Sequence, residues 1–205
     1  MRIMSLAAIA VLAAASATQA QVPDHGIGLG VSLSPSALVE VSSQTTIMLP
    51  IGFGNFYLPI IAGPHLKLEP EFGIWHTSSS TSYGGSSWSS SGAILRVGAG
   101  VFRLLRVGGG TALYVGPRVA MVRNSDSQTS SASTTSSHQT NWSFGLAIGG
   151  EHFFSPHFSL GGEVQLNYIS VGKQEVEPNP NPGTTPSTDE HMITNNGLIF
   201  IRLYR

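Results

Sequence analysis

From Gly26 to Ser34 the chain alternates strictly: Ile27, Leu29, Val31 and Leu33 fall on one face, and Gly26, Gly28, Gly30 and Ser32 on the other. Period-two alternation marks a strand with one face in an apolar medium. The pattern returns along the chain and predicts strands over 45–62, 66–76, 93–105, 111–123, 141–154, 158–173 and 193–205. The stretch 45–62 reads as one interrupted strand, with two short strands as the alternative. Pro35 ends the first strand, and Glu40 falls in the connection after it. Tight turns are expected at Gly63-Pro64, at Val107-Gly108-Gly109-Gly110 and at Ser155-Pro156-His157. The connections at 77–91, 124–140 and 174–192 are long and polar, and all fall at the opposite end. The Ser/Thr runs in them cannot bury a core and are expected as solvated, mobile loops. A weak hairpin repeat supports the scheme: Leu66–Glu71, Leu113–Arg118 and Phe158–Glu163 each run apolar, x, apolar, x, Pro or Gly, then charge.

The faces sort the charges. Leu66, Leu68, Phe72 and Ile74 oppose Lys67, Glu69 and Glu71; Leu95, Val97 and Val101 oppose Arg96; Leu113, Val115 and Val119 oppose Tyr114 and Arg118. Phe144, Leu146 and Ile148 oppose Glu151; Leu160, Val164 and Leu166 oppose Glu163, Gln165 and Asn167; Ile199, Ile201 and Leu203 oppose Arg202. One face is therefore apolar around the whole set. The other carries Lys67, Glu69, Glu71, Arg96, Arg118, Glu151, Glu163 and Arg202, diluted with glycine, and is expected to form a charge-balanced ion network. The cations that share the apolar face, Arg103, Arg123 and Arg205, sit near strand ends. Aromatic residues also gather at strand ends, Phe153, Phe154 and Phe158 at one rim and Trp142 and Tyr168 at the other, as in interfacial girdles.

Parity does not say which face is inside; the N-terminus, the sorting of the loops and the glycines beside the charges point to the apolar face outside. Arg2, the apolar run Ile3 to Ala15 and the small residues to Thr18-Gln19-Ala20 have the form of a secretory signal peptide. A cleaved signal over 1–20 is expected, followed by one barrel domain over 21–205. No later stretch approaches the ~18 apolar residues of a spanning helix, so a membrane-embedded mature chain has to cross as strands. Charged residues make up only 10%, against ~25% in an average soluble domain. Net charge is −1, which gives no electrostatic case for nucleic acid. Without cysteine there is no disulfide, thiolate metal site or lipid-anchoring thiol. Short turns on one rim and long loops on the other follow the pattern of outer-membrane barrels. A charge on the lipid face at mid-bilayer costs ~2–4 kcal/mol, which accounts for the clean apolar face. The fold expected is all-β, an antiparallel eight-stranded transmembrane β-barrel.

FGLAIGGEHFFSPHFSLGGEVQLNY, LRVGAGVFRLL and the closing GLIFIRLYR resemble the small outer-membrane β-barrel family of Gram-negative bacteria, the eight-stranded OmpA/OmpX type. The resemblance covers about 26–205. It implies the outer membrane as location, membrane lipid as surroundings, and the barrel-assembly machinery as a partner during insertion. The chain departs from the family in two ways. Tyr204 is penultimate and Arg205 last, where the family ends on an aromatic residue, and Pro50, Pro59, Pro70 and Pro117 fall within predicted strands. The closing strand reaches Arg205, and no attached peptidoglycan-binding domain is expected.

Candidate chemistry is sparse. His76 and Ser78 share a face, but no carboxylate stands at a matching spacing, as general-base catalysis requires. His65, His152 and His157 gather at the tight-turn rim without evident convergence on a metal. The glycines at 108–110 lack the Lys and Ser/Thr of a phosphate loop. No cofactor, metal or catalytic residue is expected. The role expected is structural or surface-interactive, with Trp88 and Tyr83 in the Ser/Thr-rich stretches as anchors for an extracellular ligand. The alternatives are a narrow porin-like channel, a lipid-modifying enzyme, and a soluble periplasmic barrel with the faces reversed.

Overall fold

A computed structural model describes residues 21–34, 38–42, 45–48, 52–84, 86–130, 133–178 and 190–205. The expected signal peptide over 1–20 lies outside the described residues. The strands are β1 (His25–Ser34), β2 (Leu38–Ser42), β3 (Thr45–Met48), β4 (Gly52–Tyr57), β5 (Ile60–Ala62), β6 (Leu66–Tyr83), β7 (Ser86–Gly108), β8 (Thr111–Ser130), β9 (Thr134–Ser155), β10 (Phe158–Val171), β11 (Gln174–Glu177) and β12 (Glu190–Tyr204). No described helix is long and apolar enough to cross a membrane; the crossing elements are strands.

The sheet closes on itself. Each of β6 to β10 pairs antiparallel with the next; β10 pairs β12, β12 pairs β1, and β1 returns through β4 and β5 to β6. Counting β4 and β5 as one crossing gives an eight-stranded antiparallel barrel. Closure leaves no edge within the ring, the one sheet arrangement whose backbone is satisfied in lipid.

The crossing strand near the N-terminus is shorter than the alternation predicts. It runs from Gly52 to Ala62, and Leu58 and Pro59 interrupt it. Its register on β6 is the same before and after the break, with Tyr57 opposite Glu71 and Ile60 opposite Leu68. The Leu58 N–H donates to the Pro70 carbonyl at 2.9 Å across the gap, and the Gly28 N–H to the Pro59 carbonyl at 2.8 Å. Thr45–Met48 instead pairs with Leu38–Ser42 in a separate two-stranded sheet, which contains Glu40. Residue 50, the remaining proline of that region, lies outside the described residues. Pro117 is absorbed in similar fashion: β7 and β8 pair at Gly100–Arg118 and again, in the same register, at Arg103–Val115.

The second difference is larger. The Ser/Thr-rich stretches at 77–83, 86–91, 124–130 and 134–140 are strand, not loop. β6 and β7 remain paired to Tyr83 opposite Ser86, β7 and β8 to Trp88 opposite Ser130, and β8 and β9 to Thr129 opposite Thr134. β11 adds to the far side of β9 with Gln174 opposite Gln139. A tilted strand crosses a bilayer in about 9–11 residues, whereas β7 has 23 and β9 has 22. Four barrel strands therefore rise well past the rim as a continuous polar sheet. The connection at 174–192 contributes β11 and the start of β12; residues 179–189 lie outside the described residues.

The burial pattern settles which face is inside. Ile27, Leu29, Ile74, Leu146, Ile148, Leu166, Ile199 and Leu203 are exposed on the outer wall, whereas Lys67, Glu69, Glu71, Arg118, Glu151, Glu163 and Arg202 are buried within. A soluble barrel with the faces reversed is excluded by this arrangement. Glycine makes the narrow interior possible where rings approach the wall. A Cβ at Gly149 would strike the Tyr114 ring and stand 2.8 Å from the Gly162 carbonyl oxygen. At the β7–β8 turn Gly108, Gly109 and Gly110 all take positive φ (96°, 59° and 74°), a conformation that glycine adopts without a Cβ clash.

Candidate functional site

The interior is filled in layers. At the tight-turn end Val22, Ile61, Leu104, Ala112, Phe153 and Tyr204 pack into an apolar plug. Arg106 holds the N-terminal segment beneath it, through an ion pair to Asp24 at 2.5 Å and a hydrogen bond donated to the Pro23 carbonyl at 2.9 Å. Phe153 thus belongs to the plug and not to a lipid girdle. It shares parity with Glu151, and its ring centroid lies 5.3 Å from that of Tyr204. The rim aromatics that do face outward are Phe154 and Phe158, 5.7 Å apart, and at the opposite end Trp142 and Tyr168.

Above the plug lies the charge cluster. β6 presents Lys67, Glu69 and Glu71 inward at alternate positions, and the other strands supply Arg96, Arg118, Glu151, Glu163 and Arg202. All eight belong to one connected set. Lys67 pairs with Glu69 at 3.0 Å and Glu151 at 3.2 Å. Arg202 pairs with Glu151 at 2.7 Å and with Glu69. Arg118 pairs with Glu163 at 2.7 Å, with Glu71 at 3.0 Å and with Glu69. Arg96 pairs with Glu71 at 2.7 Å and, at 22% side-chain exposure, is the most open member. Four cations meet four anions, so the cluster is neutral.

Arg118 on β8 reaches Glu69 and Glu71 on β6 by passing over β7, which has glycine at both levels. A Cβ at Gly98 would meet Glu71 Oε1 at 2.9 Å, and one at Gly100 would meet Arg118 Cγ at 3.2 Å. Aromatic rings close the remaining space. The Lys67 ammonium lies 4.0 Å from the Tyr114 ring centroid, and the Arg202 guanidinium 3.5 Å from that of Phe200. Arg118 lies 4.8 Å from the Phe102 centroid. Desolvated cation–π contacts of this kind contribute about 2 kcal/mol each. Neutral donors complete the carboxylates: Ser159 and Tyr204 hydroxyls donate to Glu151 at 2.5 and 2.7 Å, and Tyr114 and Gln165 donate to Glu163 at 2.7 and 2.6 Å. Reading the sequence for charge misses Phe102, Phe200 and Tyr204 as interior groups; their parity with Arg96 and Arg202 is the signal that finds them.

The other candidates do not converge. His76 and Ser78 face outward on β6, on the exposed wall opposite in parity to the ion cluster. His152 contacts Thr111 Oγ1 at 2.9 Å, and His157 lies 3.2 Å from the Tyr204 carbonyl oxygen. Among the described residues no group of three or more potential ligands could hold a metal ion.

A closed ring of strands, an apolar outer wall and a polar, packed lumen define an integral outer-membrane β-barrel. In such barrels the short turns are periplasmic and the long connections extracellular, which places the tall sheet outside the cell. The model of the outer membrane protein beta-barrel domain matches residues 4–193, and the chain belongs to that family. Among solved structures the fold resembles Ail, the attachment invasion locus protein of Yersinia pestis, determined in complex with the heparin analogue sucrose octasulfate. That match is 13% identical, covers 88% of this chain and 95% of that one, and has a TM-score of 0.50. A major outer membrane protein from Thermus thermophilus is 12% identical over 88% of this chain and 98% of that one, with a TM-score of 0.51. At these identities the likeness is one of fold. No curated protein matches the sequence.

Proposed function

We propose that the barrel is a non-catalytic anchor, exported by a signal peptide over 1–20 and inserted by the barrel-assembly machinery, that displays the tall β6–β9 sheet to an extracellular ligand. One observation carries this reading: the strands continue in register well beyond the length that a bilayer requires. The filled lumen supports it over a narrow pore, since Lys67, Glu69 and Ser159 are fully buried where an ion path would run. Among the described residues His76 and Ser78 have no carboxylate or other hydrogen-bond partner of the kind that general-base catalysis needs, which supports it over lipid cleavage.

The test is to shorten both hairpins, removing 77–92 and 125–138 and joining each pair of strands by a two-residue turn. The expected product still fractionates with the outer membrane and still migrates faster unboiled than boiled. Cells bearing the full-length protein should be retained on immobilised extracellular-matrix or cell-surface material, and cells bearing the short form should wash off. Retention no greater than that of cells without the protein would refute the display role.

A further inference from the structure

The tall sheet has two unlike faces. Its outer face continues the lipid-facing wall and carries mostly small hydroxyl residues. Its inner face continues the lumen wall and carries two exposed aromatic groups. Tyr83 is 89% exposed and Trp88 49%. They sit diagonally on adjacent strands, because Trp88 pairs with Thr81 and Tyr83 with Ser86. The register brings Ser130 beside Trp88, and Gln128 beside Ser90 one step nearer the membrane. Among the described residues neither ring stacks on another ring, and neither the indole N–H nor the phenol O–H has a partner. At the water-exposed tip of an otherwise polar sheet, Tyr83 buries almost nothing and about half of Trp88 stays open, so the two rings contribute little to the fold. Tyr and Trp are the residue types enriched at recognition surfaces.

The surroundings select the ligand. A flat ring offers its π face to C–H bonds, and its polar tip hydrogen-bonds. Gln128 adds an amide with both donor and acceptor, and Thr81 and Ser90 add hydroxyls that do either. An alternation of C–H patch and hydroxyl is the surface of a pyranose. Charge narrows the class further. Among the described residues of β6 to β9, Asp126 is the only charged group on this face above the rim; Arg123, His138 and Glu175 point from the opposite face. Glu190 on β12, opposite Val171, shares the inward parity and adds a second anion away from the two rings. With no cation on this face above the rim among the described residues of β6 to β9, the surface is unsuited to sulfated or uronic-acid chains. We propose that Trp88 and Tyr83, with Thr81, Ser90 and Gln128, form a binding site for uncharged saccharide. This rests on the display reading above and names its ligand class.

The full-length protein in a detergent without a sugar headgroup should be titrated with soluble dextran, mannan and galactan, and separately with heparin. At least one neutral polysaccharide is expected to bind and heparin is not. Trp88→Ala should weaken binding about tenfold, the equivalent of one lost stacking contact, and Trp88→Phe should recover part of it. Heat-modifiable mobility reports that each variant is folded. Binding by heparin alone, by no neutral polysaccharide, or equally by wild type and Trp88→Ala overturns the saccharide assignment. If cells then still adhere through the intact hairpins, the display role stands and its ligand is of another class, a protein included. If adhesion survives hairpin removal, the display role itself falls.

Discussion

Arg118→Ala is expected to cost about 3–5 kcal/mol, enough to threaten folding, because it strips three buried carboxylates of a shared cation. Arg118 bonds Glu163 through Nε at 2.7 Å and through a terminal nitrogen at 2.8 Å, bonds Glu71 at 3.0 Å, and contacts Glu69. Bulk water does not reach these groups to take its place, since Glu69, Glu71 and Glu163 are buried. Arg96→Ala is the contrast. Its side chain is partly open and meets a single carboxylate, so the expected loss is about 1 kcal/mol or less. Urea unfolding of the refolded protein in lipid vesicles, followed by gel mobility, measures both. Replacing Arg118 by Met together with Gln at Glu163 should harm stability less than Arg118→Ala alone, because Glu163 has no other cation while Glu69 keeps Lys67 and Arg202 and Glu71 keeps Arg96, so the cluster stays neutral. Equal midpoints for Arg118→Ala and Arg96→Ala would contradict the hierarchy read from burial.

Leu146→Lys is the second large effect. Leu146 lies midway along the β9 crossing on the outer wall and is 62% exposed to the surroundings. Lysine there is expected to destabilise the inserted barrel by ~2–4 kcal/mol. Thr140→Lys has the same outward parity further out along β9, opposite Arg123, where a cation already stands, and should cost ~0–1 kcal/mol. The same substitution on a water-soluble barrel would be harmless at both positions, so a flat result along β9 would count against lipid contact.

How much of this is legible in the sequence depends on contrast between the faces. In the membrane-crossing segments every second residue is apolar, so parity alone separates Leu66 from Lys67 and Ile201 from Arg202, and the all-β barrel follows. Parity also carries more than the charges alone reveal. Phe153 is odd-numbered like Glu151 and points inward with it; its nearness to a strand end suggests a girdle, a weaker cue. In Thr77–Tyr83 and Ser125–Ser130 both faces are polar, so the period-two signal vanishes although the backbone remains extended. Those strands are specified by pairing with their neighbours, which a single stretch of sequence does not display. The same limit applies to the ion cluster. Alternation assigns charges to a face, but that Arg118 meets Glu69 across an intervening strand depends on the registers of β6, β7 and β8 and on glycine at 98 and 100. Proline misleads in one place: the break at Pro59 lies inside a crossing strand, whereas the true limit of that strand is Gly52, with Thr45–Met48 paired elsewhere.

The apolar face of the barrel meets lipid, and the charged face is packed inside. The chain has no cysteine, so single cysteines can be placed along β9 without background. Residues 142, 144, 146 and 148 point outward, and Ser143 and Ala147 inward. After reconstitution, a fluorophore at each position should be quenched by spin-labelled acyl chains at 144, 146 and 148 and spared at 143 and 147. Quenching at the odd positions, or none at the even ones, would contradict the account.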